Sequence, residues 1–191
     1  MTMRTKLTFL PTLLVILSCP SVAQPASIDT SRSTVTVHVY KAGMFSGFAH
    51  NHVIKAPIAS GEMDIARRTV TFSFNANDLQ LMDTEGSDSD HREIEATMKG
   101  PKVLDTAQFP TISFRSKQVD SSNATTYRAV GELKLHGVTR EITVPVASSK
   151  SAYKGSVTIK QTDFGITPVK IAGGAVRIKD EIEISFEIVT R

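Results

Sequence analysis

The sequence predicts a mainly all-β domain: an extended antiparallel barrel of about eight strands with one short helix. Three observations predict it. Apolar side chains recur at every second position through long stretches, above all between Phe109 and Val146. That is the period of a strand with one dry and one wet face. Polar clusters and glycine-bearing dipeptides separate these stretches at hairpin spacing, and a single segment carries a helical period. Consecutive antiparallel strands must cover their dry face, and a sheet curled onto itself does so.

The barrel is assigned to residues 24–191 as one domain. Ahead of it, Arg4 and Lys6 form a basic start, Leu7 to Leu17 is apolar, and Ser21-Val22-Ala23 presents small residues at a cleavage site. These features predict a secretory signal peptide over residues 1–23, cut after Ala23, and a periplasmic or secreted product. The apolar run is short for a membrane span, and Pro11 interrupts it. Ile16-Leu17-Ser18-Cys19 also approximates a lipobox, whose cysteine would be acylated and anchored. Leu17 fits that pattern poorly and Pro20 follows the cysteine, so cleavage after Ala23 is preferred and the lipoprotein is the alternative.

Cys19 is the only cysteine, so cleavage leaves no thiol, disulfide or thiolate metal site. Loss of Arg4 and Lys6 leaves 20 basic against 19 acidic side chains, a net charge of +1. Near-neutral charge with interspersed signs argues against a nucleic-acid partner.

Along the chain, Val35, Val37 and Val39 form one face of a first strand over Thr34 to Tyr40. Lys41 to Asn51 breaks the pattern with two glycines, Phe45 and Phe48, and is expected as a loop or short helical turn. An extended region from His52 to Ile65 is interrupted near Pro57, which confines it to an edge or bulge there. After an Arg67-Arg68 turn, Val70, Phe72 and Phe74 give the inward face of the next strand. Asp88 or Ser89 is the expected N-cap of the helix, which ends at Gly100-Pro101. Lys102 to Gln108 is expected to add a brief helical turn.

Beyond Phe109, Ile112 and Phe114 alternate with Ser113 and Arg115, and Gly131, Leu133 and Leu135 with Glu132 and Lys134. His136-Gly137 signals a tight turn into the strand of Ile142, Val144 and Val146. Val157 and Ile159 continue the pattern until Thr162-Asp163-Phe164-Gly165 stops it. Ile182, Ile184, Phe186 and Ile188 form the last strand. Val176 and Ile178 share their parity, so Lys179-Asp180 is a turn or a bulge in one longer strand. A barrel of this size holds one small ligand or fills itself with side chains, and composition alone favours self-filling.

Four dispersed segments resemble the YceI-like, polyisoprenoid-binding family. They are Phe109-Pro110-Thr111-Ile112-Ser113-Phe114-Arg115-Ser116, the run from Val130 to Arg140 with Ile142 to Val146, Thr162 to Ile166, and Asp180 to Ile184. They keep the family's order and spacing from about Ile28 to the C-terminus. The resemblance implies a lipocalin-like barrel exported to the periplasm, with a long isoprenoid, isoprenoid-quinone or fatty-acid chain in its lumen. It implies a binding protein, not an enzyme, with no catalytic residues and no cofactor. Transient membrane contact and a dimer are compatible with such a carrier. Lys41 to Lys55 departs from the family, many of whose members have a longer strand-turn-strand there and lack this histidine pair.

On this basis Val37, Phe72, Phe74, Phe114, Leu133, Phe164 and Phe186 are expected to line the lumen. Phe45, Phe48, His50, His52 and Met98 are expected at one mouth. His50 and His52, two apart, could share a face and take His91 as a third metal ligand, giving a rival metal-binding or metal-dependent reading. The preferred reading makes these histidines a loop scaffold without metal. The acidic loop Asp83 to Asp90 fails the EF-hand spacing and is expected as a solvated loop. His136 and Asp163 are expected to bond backbone groups in their turns.

Overall fold

Alternation becomes strands, and punctuation becomes turns. In the computed structural model, residues 26–42, 51–64, 66–150, 152–171 and 176–191 are described. The segment expected as a signal peptide, with Cys19, and Phe45, Phe48 and His50 of the expected mouth, lie outside them.

The order is β1 (Ala26–Ser27), β2 (Thr34–Ala42), β3 (His52–Lys55), β4 (Ile58–Asp64), β5 (Thr69–Asn75) and β6 (Gln80–Leu81). Helix α1 (Asp88–Lys99) follows, then β7 (Thr111–Ser121), β8 (Thr126–Leu135), β9 (Val138–Ser149) and β10 (Ala152–Lys160). β11 (Lys170–Ile171) and β12 (Val176–Val189) end it. The fold is mostly β with one helix, as the alternation predicts. The count of about eight needs correction: among the described residues twelve strands are paired in one sheet. Eight have seven residues or more, and the other four are too short to show a period.

Every described pairing is antiparallel, and hydrogen bonds run in the order β1-β4-β5-β7-β8-β9-β10-β12-β2-β3-β6. β3 and β4 stand at opposite ends of this curl, yet only Ala56 and Pro57 separate them in the chain. One bent strand therefore closes the wall, its first half on β2 and its second on β5. Pro57 sits where the partner changes, a place that needs no ladder donor. Beside β4, Ile28 bridges Thr190, Asp29 N–H donates to the Val189 carbonyl at 2.8 Å, and Arg191 N–H to that of Ser27 at 3.0 Å.

Several local expectations are refined. The helix N-cap is Ser87: its hydroxyl accepts from the Asp90 amide, and the Asp90 carboxylate accepts from the Ser87 amide. That reciprocal box needs a carboxylate three residues on, which Ser87 has in Asp90. Residues 101–108 form turns, without a further helix, around Asp105 at φ 44°. His136 and Gly137 both have positive φ, 50° and 74°, as a two-residue hairpin turn requires. Lys179-Asp180 is a bulge inside β12, where the register with β2 shifts.

Two apolar clusters fill the ends of the barrel. Ile28, Val35, Ile54, Ile58 and Ile188 belong to one, and Leu133, Leu135, Ile159, Phe164 and Ile166 to the other.

Candidate functional site

Between these clusters the barrel is not filled. A cavity of about 240 Å³ runs inside the wall, reached by side chains from both ends. Val37, Phe72, Phe74, Phe114, Leu133 and Phe186 line it, as does Met98 of α1. All but Leu133 and Met98 are only half-buried although they face inward. Among the described residues Met82, at 50%, is the exposed large hydrophobic. The apolar surface left uncovered by packing therefore faces the lumen. An apolar cavity of comparable size stays dry and takes up apolar guests, because water finds no partners there.

Glycines make this room. A Cβ on Gly131 would lie 2.6 Å from Phe114 Cζ, and one on Gly155 2.7 Å from Phe186 Cζ. Gly61 stands in the same relation to Phe72, at 2.9 Å from Cδ1. Each ring lies back over a bare backbone on a neighbouring strand, which keeps its bulk at the wall.

Phe164 corrects the expected lumen set. It does not line the cavity; at 1% exposure it packs with Leu133, Leu135, Ile159 and Ile166 as a plug at one end. The short 3-10 turn Gln161–Phe164 ends at Gly165, φ 74°, and turns this ring inward. The His136 Nδ1 lies 3.2 Å from the Phe164 carbonyl, and its ring meets Phe109 edge-on. The carboxylate that caps this turn belongs to Asp180, not Asp163. Asp180 accepts from the Thr162 hydroxyl at 2.6 Å and the Thr162 amide at 2.9 Å. Those bonds hold the Asp180 carboxyl below its ordinary value. Asp163 contributes its carbonyl, which accepts from Arg140 Nε at 2.9 Å.

Two polar side chains reach the lining. Gln161 is buried and donates to the Lys179 carbonyl at 2.8 Å. Tyr153 stands toward the other end, where burial pushes its phenol up, with Tyr127 adding to the shift.

The histidines separate. His91 Nε2 lies 2.7 Å from the Glu85 carbonyl, at the start of α1. His52 Nδ1 lies 2.6 Å from Asp83 Oδ2, while Asp83 Oδ1 accepts from the Val53 amide at 2.8 Å. Asp83 is thus no solvated loop residue: its side chain is 6% exposed and pins the chain after β6 to β3. Among the described residues no three His, Cys, Asp or Glu side chains are grouped to hold a metal ion.

Residues 27–190 match the model of the YceI-like domain. The chain belongs to the YceI-like domain family. A UPF0312 protein of Yersinia pestis (strain Pestoides F) is 29% identical over 97 residues, 46% of this chain and 50% of its own length. One from Azotobacter vinelandii is 28% identical over 112 residues, 50% and 58% of the two chains. The aligned stretch spans about half the length of these curated relatives. Among solved structures, Burkholderia cenocepacia BcnA is 18% identical over 86% of this chain and 99% of its own, with a TM-score of 0.62. A mutant CJ YCEI protein is 13% identical over 95% and 93%, with a TM-score of 0.51. At such identity the likeness speaks for the fold.

In this YceI-like domain, sequence reasoning passed over Asp83, Tyr153 and Gln161 as parts of the site. It also passed over the glycines as makers of space. Glycine at an inward position inside a strand was a readable signal for the latter. Asp83 carried none, because its partner is 31 residues away in the chain.

Proposed function

We propose that this protein is a non-enzymatic carrier that holds a long-chain amphiphile in its lumen. The ligand is of the isoprenoid, isoprenoid-quinone or fatty-acyl type. One observation carries this: inward phenylalanines and aliphatic side chains are left half-uncovered around an apolar interior space. A close-packed core would bury them. A flexible apolar tail would cover that surface, each buried methylene contributing about 0.8 kcal/mol. Val37, Phe72, Phe74, Phe114, Leu133 and Phe186 form the wall for the tail, and Met98 the underside of α1. The protein acts after export, cut behind Ala23, so that it meets lipids outside the cytoplasm.

Mass spectrometry of a solvent extract of natively purified protein tests the carrier. A stoichiometric long-chain lipid is expected, and adding such a lipid to delipidated protein should raise the Tm with concentration. Lipid-free extracts together with an unmoved Tm would sink it. Intact mass of the exported protein tests the processing: a chain beginning at Gln24 is expected, and a diacylglycerol on Cys19 would replace the free carrier with a membrane-anchored one.

A further inference from the structure

At one edge of the lumen the inward face changes from apolar to polar within a single step of register. Val37 of β2, Ile54 of β3 and Leu81 of β6 stand side by side in paired strands. Two residues further on, Val39 pairs with His52. Asp83, two residues past Leu81, reaches the imidazole of His52. Alternation puts His52 on the same face as Ile54, and Ile54 and Val39 both line the cavity. The row therefore ends in a His–Asp couple where the apolar wall ends.

The couple has a fixed polarity. Asp83 accepts the Val53 amide at one oxygen, and as a carboxylate it only accepts at the other. Nδ1 of His52 must then carry its proton toward Asp83, 2.6 Å away. In the neutral ring this makes Nε2 an acceptor, and no described residue hydrogen-bonds to it. The imidazole is 20% exposed on its side chain, so it remains within reach of a guest.

We propose that His52 reads the head group of the bound lipid and selects one that donates a hydrogen bond: a hydroxyl-bearing lipid such as a prenol or quinol. Asp83 is the positioning residue that sets the tautomer. A head that only accepts, such as an ether or a quinone carbonyl, meets a lone pair at Nε2 and gains nothing. The selection rests on the lumen reading above, because the tail must be held inside for the head to reach the rim.

Geranylgeraniol and its methyl ether share one tail and differ in the hydroxyl proton. Both are titrated by calorimetry into delipidated protein. Wild type is expected to bind the alcohol about five- to tenfold more tightly, the worth of one hydrogen bond made against one lost. His52→Phe should bring the alcohol down to the affinity of the ether. Asp83→Asn is the sharper variant: its carbonyl still accepts from Val53 while its amide donates to Nδ1. That moves the ring proton to Nε2, which can donate to the hydroxyl and to the ether oxygen alike, so the preference should vanish because the ether gains affinity, an effect no loss of stability produces. Equal binding of the two lipids by wild type overturns the selection and leaves the carrier standing. If neither lipid binds, the carrier fails and the selection with it.

Discussion

The ring of Phe186 on β12 lies over Gly155, its register partner on β10. A Cβ at residue 155 would press on that ring and on the Pro145 carbonyl from the other side. Gly155→Ala is therefore expected to cost about 1–3 kcal/mol, as overpacking does. It should also tilt Phe186 into the lumen. Urea unfolding checks the first effect. A smaller Tm rise on adding lipid checks the second, and an unchanged rise would mean that the ring does not share space with the guest.

Phe164 and Phe74 should respond oppositely to truncation, because one is a plug and the other a wall. Phe164 is fully buried, so Phe164→Ala opens a cavity in packed structure and should cost about 3–5 kcal/mol. Phe74 already faces open space, so Phe74→Ala should cost about 1–2 kcal/mol, the lost contact alone. Phe72→Arg and Phe114→Arg put a charge among apolar side chains and should abolish lipid retention and lower the unfolding midpoint. Equal losses in the two alanine variants would erase the distinction between plug and wall.

The contrast also shows what the sequence could carry. Alternation located Val37, Phe72, Phe74, Phe114 and Phe186 on the inward face, because a strand has only two faces. Phe164 lies past the stop at Thr162, where alternation says nothing of its direction, and only the family resemblance groups it with them. A four-residue 3-10 turn decides the matter, and its geometry depends on Asp180, 18 residues away through hydrogen bonds to Thr162. The short strands β1, β6 and β11 were equally invisible, whereas β3 is the first part of the extended region expected from His52 and interrupted near Pro57. Two residues show no period, and their pairing is fixed by what the curl brings beside them.

Asp180 should set part of the acid limb of stability. The Thr162 hydroxyl, then its amide, hold the native carboxyl below its ordinary 3.8. The unfolded chain therefore takes up the proton first as pH falls. The contribution is complete above that ordinary value and is lost as pH drops through the lower native one. Asp180→Asn keeps an acceptor for Thr162 but cannot be protonated there. Its deficit against wild type should be largest near neutrality and shrink below about pH 4. Unfolding midpoints measured across that range decide it, and a constant deficit would mean that another carboxyl, such as Glu95 under the Leu81 amide, sets the limb.

Asp83 ties two segments that the sheet alone holds weakly. β6 has two residues, and its ladder to β3 is correspondingly short. Asp83→Ala strands the Val53 amide and the His52 Nδ1 donor together. Water can repay part of this at the 20% exposed imidazole, so a loss of about 2 kcal/mol is expected. The Val53 amide, freed from its side-chain acceptor, should exchange with solvent faster than its neighbours in β2. A metal anchored on His52 would behave differently. Chelation would then lower the Tm of untagged wild type, and zinc, copper or iron would copurify near one per chain. The tether predicts a Tm indifferent to chelator together with a Val53 amide that answers to Asp83. Equimolar metal lost on His52→Gln would assign the imidazole to the ion instead.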